Sequence, residues 1–158
     1  MAKAAKSIPA EYHSITPALI CKNAAKAIDF YKRAFGAEVR SRMDGPDGKV
    51  AHAELKIGDS MFFVSDEFPD MGAVAPPPGV TFGLYLYVDD VDTVFKRAVD
   101  AGAKVHMPVQ DQFWGDRNGS LIDPFGYRWG VATHVEDLTP EEMKRRSQEF
   151  MAKMASQG

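Results

Sequence analysis

The stretch Asn23–Glu38, NAAKAIDFYKRAFGAE, decides the fold. Asn23 is a residue whose side chain can accept from the free N–H groups that open a helix. Ala24, Ala27, Ile28, Tyr31 and Phe35 then recur at helical spacing. Gly36 stops the helix where the backbone must turn left-handed, and AEVRSRM reads as a strand. At an offset of 66 residues the same order returns in Asp89–Lys104, DDVDTVFKRAVDAGAK. Asp89 or Asp90 caps a helix, Gly102 stops it and a strand follows. Without gaps, Ile20 pairs with Leu86, Asn23 with Asp89, Ile28 with Val94, Gly36-Ala37 with Gly102-Ala103, and Val39 with Val105. Cap, helix, stop and strand in one order, twice, predict an internal repeat.

The rest of each copy follows. Ser14–Lys22 is a short apolar run with β-branched residues, hence a strand. After the helix come AEVRSRM, the turn GPDG (Gly45–Gly48), KVAHAELKI, the turn Gly58-Asp59 and SMFFVS. The second copy offers Thr81–Val88, AKVHM, a strand around Asn118–Ile122, the turn DPFG and Tyr127–Thr133. Each copy is therefore a βαβββ module. The predicted organisation is a tail at 1–13, a first module at 14–65, a linker at 66–80, a second module at 81–134 and a C-terminal helix at 135–158. The linker holds four of the ten prolines, a composition that resists both helix and interior strand. Asp66-Glu67, at its start, reads as a solvated continuation of the strand. The terminal helix opens on a capping box, with Thr139 as cap, Pro140 in the first turn and Glu142 able to reach back. Its stripe of Met143, Phe150, Met151 and Met154 suits packing on its own sheet or on a sister subunit.

The formal net charge of −3 and pI of about 5.8 argue against a partner that presents phosphates, so nucleic acid is not expected. No apolar run approaches the roughly 20 residues of a bilayer span, and 1–10 lacks the apolar core of a signal peptide. The single cysteine, Cys21, lies in an apolar run and reads as a small core residue in a cytoplasmic, reducing setting.

Four phrases give these modules a family likeness: AIDFYKRAFGAE (Ala27–Glu38), HAELKIGDSMFFVSDE (His52–Glu67), DQFWGDRNGSLIDPFGYRWGVATH (Asp111–His134) and EDLTPEEM (Glu136–Met143). Together they resemble the PhnB-like branch of the vicinal oxygen chelate superfamily, which includes glyoxalases, bleomycin resistance proteins and extradiol dioxygenases. The resemblance spans about Ser14 to His134. It implies an α+β fold in which two βαβββ modules form a cupped mixed sheet. It also implies metal-ligand positions on the first and last strand of each module, normally His, Glu or Gln. In this chain those positions fall at Thr16, near Phe63, at Gly83 and at Gly130. None is a usual ligand, so no cofactor is expected. The alternative is a relocated divalent metal on His52 and Glu54, which point the same way from one strand. That pair equally reads as a polar pair facing solvent or the cup. His13, His106 and His134 read as surface or strand-end residues.

Strand parity assigns the cup wall. Thr16, Ala18 and Ile20 face it from the first strand, Gly83, Tyr85 and Tyr87 from the second module, and Arg128, Gly130 and Ala132 from the last strand. Phe63 adds a ring. Phe82, Leu84, Leu86, Val88, Trp129 and Val131 go to the core. At the rim, Trp114 offers a wall and Arg117 a cation, unless Arg117 pairs with Asp116 or Asp123 to fix the loop. The candidate ligand-binding set is Phe63, Tyr85, Tyr87, Trp114, Arg117 and Arg128. Two readings of the rings stand side by side, a ligand pocket and an ordinary core. The functions that follow are a binding protein for a small, aromatic or anionic organic molecule without metal, a lyase or dioxygenase using His52 and Glu54, a metal-free isomerase-like catalyst, or an interaction domain with a residual cup. A homodimer is expected, as in single-chain members of the superfamily.

Overall fold

A computed structural model describes residues 6–45, 47–79 and 82–157. Thr81 of the expected strand, Val80 of the linker, Pro46 of the turn, residues 1–5 of the tail and Gly158 lie outside them. The first module runs β1 (Ala18–Cys21), α1 (Ala24–Phe35), β2 (Glu38–Asp44), β3 (Val50–Ile57) and β4 (Ser60–Asp66). The second runs β5 (Gly83–Tyr87), α2 (Val91–Asp100), β6 (Lys104–Asp111), β7 (Asp116–Ile122) and β8 (Arg128–His134). The helix α3 (Pro140–Ala155) closes the chain. Each module makes its own four-stranded sheet, in orders β1-β4-β3-β2 and β5-β8-β7-β6. The first strand runs parallel to the last and the other pairs are antiparallel. The cup is thus divided between two sheets.

Local chemistry sets the elements. Asn23 Oδ1 accepts from Lys26 N, and Gly36 at φ 67° ends α1. Asp90, not Asp89, caps α2 by accepting from Thr93 N at 3.1 Å. That shift is systematic. Leu55 pairs with Phe62 as Leu121 pairs with Trp129, and Leu19 pairs with Val64 as Leu86 pairs with Val131. The middle strands keep the offset of 66, but first strand, helix and last strand sit at 67. Leu86 therefore matches Leu19 rather than Ile20, and Phe95 rather than Val94 matches Ile28; Phe95 is the buried one. A three-residue turn, Pro124 to Gly126, replaces the two-residue turn Gly58-Asp59 and restores the longer spacing. Pro108 within β6 is tolerated because β6 is an edge strand with an irregular register there.

The core lies where α1 and α2 pack on each other and on the inner sheet faces. Trp129 of the second module stacks against Phe35 at 4.5 Å and meets Tyr31 and Phe62 of the first. Cys21 is fully buried, and burial pushes its thiol up to about 12, so it is an inert core residue. Phe82 departs from the expectation: it is half-exposed, edge-on to Tyr127.

Two buried carboxylates organise this core. Asp66 is not solvated as expected. It accepts from Ala24 N at 2.9 Å and Val50 N at 2.7 Å, tying the start of α1 to β3. Asp123, in the DPFG turn, accepts from the backbone N–H groups of Phe125 and Tyr127 and from Trp129 Nε1. It also accepts from the Tyr31 hydroxyl of α1 at 2.7 Å, across the module boundary. Burial, with Asp123 alongside, drives the Tyr31 phenol well above its ordinary value, so it stays a donor. Asp123→Ala leaves four buried donors unpaired and should cost about 3–5 kcal/mol, against about 1.5–3 kcal/mol for Tyr31→Phe. Urea denaturation of the two variants checks this ordering; equal losses would show that Asp123 acts through Tyr31 alone.

Candidate functional site

The outer face of the second sheet carries the candidate site. Gly83, Tyr85 and Tyr87 alternate on β5, Arg128 and Gly130 on β8, and Asp116, Asn118 and Ser120 on β7. The ladders place Tyr85 beside Gly130 and Gly130 beside Ser120. Gly130 is the position where the family likeness implies a metal ligand. A Cβ there would lie 2.6 Å from Tyr85 Cδ2, so the tyrosine ring occupies the space of the missing side chain. At Gly83 no atom of the described residues beyond its chain neighbours lies within 4 Å of a Cβ, which leaves open space beside Arg128.

Asp116 anchors the tyrosines. It is 3% exposed, and its Oδ2 accepts from Tyr87 at 3.0 Å and from Tyr85 and Trp114 Nε1 at 3.2 Å. Its Oδ1 meets His134 Nδ1 at 2.8 Å, while His134 Nε2 meets Asp137 at 2.9 Å. His134 is therefore no isolated strand-end histidine. Carboxylates on both nitrogens favour its protonated form and raise its pKa, Asp116 first and Asp137 second. Burial pushes the Asp116 carboxyl up, but its bonds from His134, Tyr87, Trp114 and Tyr85 outweigh that and hold it below its ordinary value. Asn118 Nδ2 donates to the Tyr85 hydroxyl at 3.0 Å, fixing that ring from the other side.

A recess of about 470 Å³ opens beside this network. Tyr85, Trp114, Met107 and Phe150 give it apolar walls, and Gln110, Gln112, Asn118, Ser120 and Arg128 give it polar ones. Phe150 of α3 reaches it by packing on Phe113 at 4.8 Å. The rim loop is pinned to the start of that helix: Gly115 O accepts from Val135 N and Glu136 N, and Glu136 pairs with Arg146. A second, apolar slot of about 280 Å³ lies past Tyr85, between Phe62, Met61 and Trp129.

The candidate residues divide. Tyr85, Trp114 and Arg128 line the recess, and Tyr87 stands next to Tyr85 at 5.2 Å between ring centres. Arg117 is turned to the helix side, where Asp92 of α2 holds it with two bonds of 2.8 Å and Asp111 adds a third. Its partners are thus neither Asp116 nor Asp123, and the rim cation is neutralised. Phe63 belongs to the other sheet, under the rings of His52 at 4.8 Å and Tyr12 at 5.9 Å. There the tail lies over the first sheet, with Glu11 bonded to Arg40 and Lys56. Sequence reasoning passed over Asn118, Ser120, Gln110 and Phe150 as wall residues. The alternation of Asp116, Asn118 and Ser120 was a readable signal, hidden because the strand appeared to begin at Asn118.

The residues do not fit the metal of the family likeness. Thr16, Phe63, Gly83 and Gly130 supply no nitrogen or carboxylate donor, and the Tyr85 ring fills the place over Gly130. His52 Nε2 lies 3.6 Å from Glu54 Oε1, and among the described residues no third His, Cys, Asp or Glu joins them. Glu54 is held below its ordinary value chiefly by the Tyr12 hydroxyl, which makes it one member of a polar cluster under the tail. No described helix is long and apolar enough to cross a membrane.

Residues 13–131 match the model of the Glyoxalase/Bleomycin resistance protein/Dioxygenase superfamily. The chain belongs to this superfamily. The uncharacterized protein Rv0887c of Mycobacterium tuberculosis is 39% identical over 150 residues, covering 92% of this chain and 84% of that protein. Among solved structures, TioX from Micromonospora is similar at a TM-score of 0.65 and 26% identity, over 78% of this chain and 99% of TioX. The PhnB protein of Bacillus cereus shares the fold at a TM-score of 0.61 and 23% identity, over 77% of this chain and 99% of that one. The paired-module fold thus agrees with the superfamily, and the bleomycin resistance determinant of the transposon Tn5 also shares the fold.

Two outcomes test the site geometry. Gly130→Ala should cost about 1–3 kcal/mol by displacing the Tyr85 ring, and most of that cost should vanish in a Tyr85→Ala background. Denaturant midpoints of the four proteins decide it, and an equal cost in both backgrounds would place the clash elsewhere. For His134, the raised folded pKa means its stabilisation is complete below the unfolded value of about 6.5. It is lost as pH rises through the folded value. The His134 ring resonance should titrate above 6.5 and move back towards it in Asp116→Asn. Titration at or below 6.5 in the parent protein would show that the two carboxylates do not hold the ring.

Proposed function

We propose that this chain binds a small organic molecule in the recess on the second sheet, and does so without a metal. One observation carries the reading: the implied ligand position at Gly130 holds an anchored tyrosine ring instead of a donor. The recess beside it has the mixed wall of a ligand site, apolar rings with a few fixed polar groups, and its volume lies in the usual range. Tyr85, Trp114 and Arg128 are the contact residues, and Tyr87 stiffens Tyr85 through Asp116. The hydroxyls are satisfied by Asp116 while the rings stay about half exposed, which supports a pocket over a closed core.

A second copy of the chain is the fitting cover for the outer faces. Every residue of β2 is exposed, including Val39 and Met43, and β6 exposes Val105 and Met107. The strand β5 is an edge of its sheet, and Met151 and Met154 of α3 are exposed. A cytoplasmic homodimer is the assembly we infer, with the reduced thiol of Cys21 fitting that compartment.

A thermal-shift screen of aromatic and heteroaromatic compounds, run with EDTA and again with divalent metals, tests the function. A binder at about 100 times its Kd should stabilise the protein by about 2.7 kcal/mol, equally in both conditions, with light scattering giving the mass of a dimer. Stabilisation that appears only with metal, or a purified protein carrying one metal ion per chain, would overturn the metal-free reading. A monomer in light scattering would remove the dimer from it.

A further inference from the structure

The recess holds an unbalanced cation. Of the eight arginines in the sequence, seven donate to a protein acceptor: Arg33, Arg40, Arg42, Arg117, Arg145 and Arg146 to carboxylates and Arg97 to the Ala34 carbonyl. Arg128 is the exception. Its guanidinium, a group of five N–H donors, has no hydrogen bond and no ion pair among the described residues, and Arg128 lines the recess. Among the described residues no Asp or Glu lines that recess. Asp116, outside the lining, is engaged by the Tyr85 hydroxyl and by His134. A negative ligand therefore meets one uncompensated positive charge and no repelling one.

The polar groups around Arg128 are neutral. Gln110, Gln112 and Asn118 offer amides. Ser120 lines the recess and is 5% exposed, and its buried Oγ has no hydrogen-bond partner among the described residues. Gly83 sits opposite Arg128 in the ladder with open space where a side chain would stand, so a planar head can lie flat against the guanidinium. The rings of Tyr85 and Phe150 supply the apolar remainder.

We propose that the ligand is an organic monocarboxylate with a flat, apolar body. Its carboxylate would be held in two-pronged fashion by Arg128, with Ser120 or a neighbouring amide as the second donor, and its body would lie along Tyr85 towards Phe150. One cation among neutral donors suits a single negative charge. A phosphate ester, with nearly two charges at neutral pH, would lack a second cation. The proposal rests on the small-molecule reading above and names the ligand class of that same recess.

Matched pairs test it: benzoate, cinnamate, 1-naphthoate and indole-3-acetate, each against its primary amide, by ligand-observed NMR titration of the full chain. The acids should bind about tenfold or more tighter than their amides, as charge-assisted pairing to Arg would give. Arg128→Gln should erase that preference, and Gly83→Leu should block acids and amides alike. Acids and amides binding alike, with Gly83→Leu still blocking both, would overturn the carboxylate inference and leave the small-molecule reading standing. An acid preference that survives Arg128→Gln would also overturn it. Binding by no member of the panel, acid or amide, would sink the inference and count against the recess itself.

Discussion

The buried carboxylate of Asp123 is the constraint on which the rest depends. A carboxylate out of water is costly unless its lone pairs are filled. Here four donors fill them, two from its own turn, one from Trp129 and one from Tyr31. The turn, the last strand and the helix of the opposite module must all be in place before that charge is satisfied. Tyr127, in the same turn, adds a second clasp: its hydroxyl donates to Ile20 O and accepts from Ile20 N, completing the edge of β1. The two modules are therefore not beads that happen to touch. Polar groups of one finish the hydrogen bonding of the other, and the apolar contacts of Trp129 with Phe35 and Phe62 seal around them.

That arrangement fixes which faces remain for function. With both helices and both inner faces committed to the shared core, only the outer faces are open. On the first sheet that face is partly covered by the tail through Tyr12 and Glu11. On the second it is left open beside Tyr85. One repeat thus yields two unlike surfaces, and the difference comes from a few positions: Tyr85 where Ala18 stands, Gly130 where Phe63 stands, and Asp116 with its four donors, which has no counterpart in the first module.

Much of the fold was legible because capping and stop residues are local. Asn23, Gly36 and Gly102 announce their roles in sequence, and parity correctly sent Tyr85, Tyr87 and Arg128 to one face and Leu84, Leu86, Trp129 and Val131 to the other. The one-residue slip in the repeat was not legible, since a longer turn before β8 and a shorter helix end in α2 cancel over the middle strands. The buried acids were the hardest to read. Asp66 and Asp123 look alike as residues next to turns, and only distant N–H and O–H groups mark them as interior. Arg117 failed in the opposite direction: its partners, Asp92 and Asp111, lie across the sheet from the rim loop that suggested a binding role.

The same reasoning explains how a metal-type position comes to hold a tyrosine ring. A metal ligand needs a donor aimed at one point and little else, whereas a ring needs room and a fixed tilt. Gly130 gives the room. The tilt comes from holding the Tyr85 hydroxyl between Asp116 and Asn118, and Asp116 can stay charged there because His134 and three neutral donors face it. Restoring a histidine at Gly130 alone would not restore a metal site, because its side chain would collide with the ring that now depends on that space. The change of chemistry at this one position is thus held in place by a network of at least five residues around it.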